Sequence, residues 1–262
     1  MNLENIRALA FDVGGTILDW RTGIIRDLTA WGKGKGMTHD WEAFTDRWRT
    51  NSLDMALNAK QADLPRGNID GVHRHTLAAL AKERGIDAMN DEELDCLTMF
   101  WHKIPAWPDA PAAHARLRER FVMSTITILS VRMIIDISRI APFHWDSIIS
   151  CEMLEWYKFH PSSYARAAEL MGFEPEEIIF VAAHNLDLKA AHDVGFYTAL
   201  VIRPEEWGPS TDLNNMRDHV SDPDFEIDIE DISIAEIVFA EDVGVYRAGD
   251  RAPAGNAQHL DE

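Results

Sequence analysis

The sequence predicts an α/β protein: a Rossmann-like parallel sheet whose chain is interrupted by an inserted helical cap. Three observations lead there. Short apolar runs recur at Arg7–Phe11, Phe121–Ile126, Ser147–Ser150, Ile178–Ala182 and Tyr197–Ile202, the pattern of buried strands bounded by turns. Helical patterns lie between the later runs, at Ser163–Met171 closed by Gly172 and Leu186–Val194 closed by Gly195. Strand and helix in alternation point to a mainly parallel sheet. Residues 21–105 break that rhythm with helix-like stretches at Ile24–Trp31, Trp41–Asn58, Asp70–Arg84 and Asp91–His102, and no convincing strand.

In chain order, the first strand ends at Asp12-Val13-Gly14-Gly15-Thr16, a glycine turn that stops an apolar run. The helical insertion follows, and the chain rejoins the sheet near Trp107-Pro108-Asp109. The expected division is a catalytic core of residues 1–20 and 106–243, a cap of residues 21–105 and a flexible tail of residues 244–262. The tail is small and polar, as frayed termini are. The acidic stretch Asp222–Asp242 reads as a solvated face.

Composition narrows the function. The chain has 262 residues, with 44 acidic against 25 basic side chains and a net charge of −19. That balance disfavours nucleic acid and anionic membranes as partners. No apolar run approaches the ~18 residues of a membrane helix, and the start carries no basic then apolar leader. Two cysteines, Cys96 and Cys151, make no disulfide framework. A cytoplasmic protein acting on a small molecule is the expectation.

Ligands of such sheets gather beyond the C-terminal ends of the strands. Four polar residues fall there: Asp12 after the first strand, Thr127 after the second, Lys158 after the third and Asp187 after the fourth. An acid, a hydroxyl, an ammonium and a second acid in one crevice suit covalent catalysis by a carboxylate.

Phe11-Asp12-Val13-Gly14-Gly15-Thr16 with Leu18-Asp19-Trp20 resembles the first motif of the haloacid dehalogenase superfamily. Trp48-Arg49, Trp107-Pro108-Asp109, Tyr157-Lys158 with Pro161 and Tyr164, Val181-Ala182-Ala183-His184 with Asp187-Leu188, and Arg203-Pro204-Glu205-Glu206-Trp207-Gly208 fit its 2-haloacid dehalogenase branch. The match runs from about Leu9 to Gly208 in one order. The resemblance implies a Rossmann-like core with a helical cap, and a carboxylate that displaces a leaving group from carbon before water hydrolyses the ester. It makes Asp12 the nucleophile and Lys158 the cation that keeps it ionised. Asp187 would support Lys158 and steer the hydrolytic water with His184 beside it. Thr127 would bind substrate or nucleophile or else simply finish its strand, Arg49 would reach from the cap to the substrate carboxylate or else pair with an acid of the cap, and Tyr164 would hydrogen-bond within the site. Backbone N–H groups of Gly14, Gly15 and Thr16 would hold a carboxylate, and Trp20 would line the pocket.

The departures from the pattern refine this. Gly14 stands where the superfamily's phosphatases carry a second Asp, and Ala183 stands where they carry a metal ligand, so neither a phosphatase nor a metal is expected. Ile128 replaces an asparagine of the dehalogenases' halide cradle, and Gly14 replaces a bulky aromatic. Both changes suit a compact ring, so hydrolytic ring opening of L-azetidine-2-carboxylate to 4-amino-2-hydroxybutyrate is the leading expectation. L-2-haloacid dehalogenation is the alternative, and a non-enzymatic binding protein on this fold is the third reading. No cofactor is expected, and whether the chain pairs as a homodimer stays open.

Other features have plainer readings. Asp-Val-Gly-Gly-Thr also resembles the phosphate loop of sugar kinases, but no second glycine-rich phosphate loop follows. His73 and His75 sit two apart on a helix, facing different directions, and read as solvated or capping. Most of the nine tryptophans read as packing, and Cys151, without a histidine partner, reads as packing too.

Overall fold

The computed structural model describes residues 5–208 and 225–227. Six strands form one parallel sheet: β1 (Ala8–Phe11), β2 (Val122–Thr127), β3 (Ser147–Ser150), β4 (Ile178–Ala182), β5 (Tyr197–Val201) and β6 (Phe225–Ile227). Their order across the sheet is β3-β2-β1-β4-β5-β6. β1, β4 and β5 are buried along their whole length, which is why they read as continuous apolar runs instead of alternating ones. The chain winds outward from β1 through β2 to β3, then crosses back to β4 on the other side of β1. The crevice where the winding reverses lies beyond the ends of β1 and β4, the place such sheets bind ligands. The backbone N–H of Asp12 donates to the Val181 carbonyl at 2.9 Å. That bond carries the β1–β4 ladder one residue further and fixes Asp12 at this crevice.

Between β1 and β2 the chain forms α1 (Trp20–Gly34), α2 (Trp41–Ala56), α3 (Ile69–Glu83), α4 (Asp91–Thr98), a 3₁₀ turn at Met99–Lys103 and α5 (Ala110–Leu117). The first four begin at Asp19, Asp40, Asn68 and Asn90, whose side chains accept the backbone N–H three residues on. Such caps satisfy donors that a helix start leaves open. The ends of this helical segment meet: the Asp19 N–H donates to the Pro105 carbonyl at 2.9 Å, and the Trp107 N–H to the Ile17 carbonyl at 3.0 Å. An excursion so closed can be inserted without disturbing the sheet. Its interior is aromatic, with Trp48 edge-on to Trp101 and the His73 ring stacked on Trp101 at 4.1 Å.

The structure corrects several expectations. His73 is fully buried, and burial pushes its pKa well below the usual histidine range, so it is a packing ring; only His75 is exposed. β2 runs one residue beyond the apolar run, so Thr127 closes the strand instead of following it. α6 (Val131–Ser138), α7 (Pro161–Met171) and α8 (Asn185–Val194) complete the described helices; α6 and β6 were not anticipated. Gly172 and Gly195 close α7 and α8 in the left-handed conformation, as expected of glycines at helix ends. The acidic stretch Asp222–Asp242 lies outside the described residues except for β6, and the tail at 244–262 lies wholly outside them. No described helix is long and apolar enough to cross a membrane.

Candidate active site

Asp12 leaves β1 into the turn that precedes α1, and this turn is held from three sides. Thr16 Oγ1 donates to Asp12 Oδ2 at 2.8 Å and accepts the Ala183 N–H at 2.9 Å. Trp107 Nε1 donates to the Gly15 carbonyl at 2.8 Å. Arg203 Nε donates to the Thr16 carbonyl at 2.8 Å while its fork grips Asp109 at 2.8 and 3.1 Å. A two-pronged guanidinium pair of this kind fixes orientation as well as distance.

Lys158 reaches in from the segment before α7. Its ammonium donates to Asp12 Oδ1 at 3.0 Å and to Asp187 Oδ2 at 2.7 Å, and all three side chains are buried. Asp187 sits in the first turn of α8, where a carboxylate also faces the positive end of the helix dipole. Its other oxygen accepts the Tyr164 hydroxyl. Burial disfavours charge on Asp12, but Lys158, joined by His184, outweighs it and holds Asp12 well below the usual carboxylate range. Burial raises Asp187 instead, against the pull of Lys158. For Lys158 burial works against the ammonium, and the two carboxylates reverse that and keep it charged. Asp12 is therefore an ionised, buried carboxylate with one oxygen on an ammonium, a form suited to nucleophilic attack.

His184 and Arg49 close the site. His184 Nδ1 lies 3.2 Å from Asp12 Oδ2, and its Nε2 lies 3.0 Å from Glu206 Oε1. Arg49, on α2, stacks over Trp20 and Trp101 with its guanidinium carbon 5.4 and 5.5 Å from the ring centroids. It is buried, and its Nε and Nη1 have no hydrogen-bond partner among the described residues. Burial lowers its pKa while Glu206 and Asp12 oppose this, and a guanidinium remains charged throughout. It pairs with no acid of the helical segment, so the guanidinium is free to meet an anion.

These residues surround a cavity of about 310 Å³. Asp12, Lys158, Arg49 and His184 line it, and much of the remaining wall is apolar, from Leu53, Leu57, Phe159, Leu186 and Trp207. Gly14 and Ile128 line it as the sequence suggested. Gly14 opens less room than expected: a Cβ there would stand 3.4 Å from Arg49 Nη2 and 3.8 Å from the Leu129 methyls. These two side chains already furnish that space.

Five of the predicted site residues stand behind the wall, among them Thr16, whose hydroxyl is spent on Asp12 and the Ala183 N–H. Trp20 is buried beneath Arg49 and donates its Nε1–H to Glu206 at 3.0 Å, so it backs the pocket and does not line it. Tyr164 lies behind Asp187 and reaches no cavity surface. Thr127 turns its hydroxyl to the Leu129 N–H at 3.1 Å, shaping the loop after β2. Gly15 spends its N–H on the Leu18 carbonyl at 3.1 Å, within the turn itself. Sequence reasoning gave no role to Glu206, or to Asn185, a cavity-lining residue whose buried side-chain amide has no hydrogen-bond partner among the described residues. Nothing in Glu205-Glu206 distinguishes the exposed first acid from the buried second. Asp12, His184 and Asp187 turn ligand atoms to within 4.8 Å of one another, a spacing a metal ion could use. The Lys158 ammonium already lies between the two carboxylates and supplies positive charge there.

A doubly wound sheet with an inserted helical segment, and a lysine-paired aspartate at its switch point, is an arrangement suited to covalent chemistry by a carboxylate. Residues 6–195 match the family of haloacid dehalogenase-like hydrolases, and the chain belongs to that family. The (S)-2-haloacid dehalogenase of Xanthobacter autotrophicus is 27% identical over 205 residues, which span 76% of each chain. The crystal structure of an L-2-haloacid dehalogenase shares 33% identity at a TM-score of 0.76, covering 84% of this chain and 94% of its own. That of a defluorinating L-2-haloacid dehalogenase shares 30% identity at a TM-score of 0.78, covering 89% and 94%.

Proposed function

We propose that this hydrolase removes halide from L-2-haloacids by a covalent aspartyl route. The observation that carries the reading is the ionised Asp12 at the cavity wall, paired with Lys158 and accompanied by an unpaired Arg49. An Asp12 carboxylate oxygen attacks C2 of the substrate, the C–halogen bond breaks and halide departs. The result is an ester between Asp12 and the acid. Water then attacks the Asp12 carboxyl carbon, releases a 2-hydroxy acid and regenerates the carboxylate. Lys158 keeps Asp12 charged before the first step and available after the second. Arg49 lines the cavity as a buried cation, and its Nε and Nη1, like the Asn185 amide, have no hydrogen-bond partner among the described residues. A buried guanidinium at the cavity wall with so little internal pairing favours an anionic ligand beside it.

That donor supply reverses the ranking reached from sequence. Ile128 has no donor, which pointed to ring opening, yet the wall opposite an anion is not bare. The dehalogenase relatives support the same order. Ring opening of L-azetidine-2-carboxylate by the same nucleophile is the second reading, and the observation favouring it is still Ile128 in the cavity wall.

Incubation with L-2-chloropropionate and, separately, with L-azetidine-2-carboxylate distinguishes them. Chloride release with formation of lactate is expected; ring opening without halide release would establish the second reading. A single turnover in H₂¹⁸O is expected to place label in Asp12, whereas label confined to product would remove the ester. Asp12→Asn is expected to lower turnover at least about 10³-fold, the scale of losing a nucleophile.

A further inference from the structure

Glu206 has no part in the chemistry so far, yet it is among the most enclosed acids of the described chain, at 1% exposure. Its two oxygens lie 3.0 and 3.1 Å from His184 Nε2, and Oε1 also accepts the Trp20 N–H at 3.0 Å. Across the same ring, Nδ1 faces Asp12 Oδ2 at 3.2 Å. The turn makes room for this arrangement. Gly15 has φ +95°, and a Cβ on it would stand 2.1 Å from Glu206 Oε1. The alignment Glu206–His184–Asp12 is thus built by three elements that each give up something for it: a positive φ, a buried acid and a buried indole.

We propose that Glu206 is a positioning residue that holds His184 as the general base for hydrolysis of the Asp12 ester. The inference rests on the covalent reading above. A carboxylate at Nε2 accepts a hydrogen bond, so it keeps a proton on that nitrogen and leaves Nδ1 to face Asp12. Both oxygens of Asp187 are engaged, by Lys158 and Tyr164, so His184 is better placed to take a proton from water.

The proton inventory closes. In the resting enzyme burial opposes charge on His184, but Glu206 and Asp12 outweigh it and keep the ring protonated well above the usual histidine range. Lys158 and Arg49 face the same cluster with positive charge, and Asp187 with a carboxylate. Alkylation of Asp12 removes the carboxylate charge at Nδ1, and that proton leaves to solvent from a ring 27% exposed. Neutral His184 then takes a proton from the water attacking the Asp12 carboxyl carbon. The ester C–O bond breaks and the departing alkoxide receives that proton as the 2-hydroxy acid forms. Asp12, now a carboxylic acid, returns its own proton to His184, which restores the resting state. One proton is released per turnover, as hydrolysis of a carbon–halogen bond requires.

Two measurements test this. In substrate-free enzyme, NMR titration of His184 is expected to show a cation at neutral pH, and Glu206→Gln to lower its midpoint by more than about one unit, the scale of losing an opposed charge. In rapid-quench experiments with L-2-chloropropionate, Glu206→Gln is expected to give one equivalent of chloride quickly and then stall, with substrate mass retained on Asp12. Steady-state turnover should fall about 10²-fold, the scale of losing general-base catalysis, and Glu206→Asp should recover part of it. His184→Asn, at a half-buried position, should trap the same ester and serves if Glu206→Gln does not fold. Ester breakdown at the wild-type rate in a folded Glu206→Gln or His184→Asn variant overturns the proposal. Should wild type release no chloride, the haloacid reading falls instead, and the titration decides alone: an unchanged His184 midpoint in Glu206→Gln ends the positioning role.

Discussion

At the scale of single residues, the site depends on one ammonium between two buried carboxylates. Lys158 compensates Asp12 and Asp187 at 3.0 and 2.7 Å. Removing one member of a buried ion cluster strands the others, which costs far more than the cluster contributes to folding. Lys158→Met is therefore expected to abolish turnover and to lower unfolding stability by about 3 kcal/mol or more, read from denaturant curves. Full stability in that variant would show that solvent reaches the carboxylates. Asp12, Lys158 and Asp187 were legible in the sequence because strand ends locate them without any knowledge of side-chain direction. Arg49 was legible only as a resemblance, and its freedom from acidic partners is a tertiary fact. Glu206 was not legible at all: its neighbour Glu205 is chemically identical, and only the positive φ of Gly15 and the Trp20 indole select between them.

At the scale of elements, a second polar cluster joins the helical segment to the sheet domain. Ser130, the cap of α6, donates to Asp70 of α3 at 2.8 Å. His102 in the 3₁₀ turn stands between Asp70, at 3.4 Å, and Asp136 of α6, at 2.9 Å. Burial opposes the imidazolium, but the two acids outweigh it and raise the pKa above the usual value of 6.5. A base whose folded pKa is raised stabilises the fold fully below its unfolded pKa, and the contribution is lost as pH rises through the folded value. Unfolding free energy measured from about pH 5 to about pH 9 should therefore lose a component above pH 6.5. His102→Gln should flatten that component, and an unchanged profile in the variant would remove His102 from the contact. The expected helix starts Trp41, Asp70 and Asp91 fall within one residue of those of α2, α3 and α4, whereas α1 begins at Trp20, ahead of the expected Ile24, because Asp19 caps it there. The end of β2 was left open between two readings, because what holds Thr127 in the strand is pairing with Ser150 across the sheet.

At the scale of the whole molecule, the alternation of apolar runs was enough to predict the parallel sheet and the interruption between β1 and β2. The strand order β3-β2-β1-β4-β5-β6 was not in the pattern, since pairing partners far apart in sequence leave no local trace. The net charge of −19 proved a poor guide to the site, where Lys158 and Arg49 face a cavity inside an acidic protein. The apolar part of that cavity carries a consequence of its own. On the proposed haloacid reading, Leu53 and Leu57, close together on and just after α2, and Leu186 on α8 offer hydrocarbon to a side chain projecting from C2 of the substrate. Each methylene taken from water is worth about 0.8 kcal/mol, or about fourfold in affinity. A homologous series of L-2-chloroalkanoates should therefore descend a ladder in KM, about fourfold per rung, with kcat level because such contacts bind ground and transition states alike. The rung at which the ladder stops measures the depth of the cavity in carbon atoms.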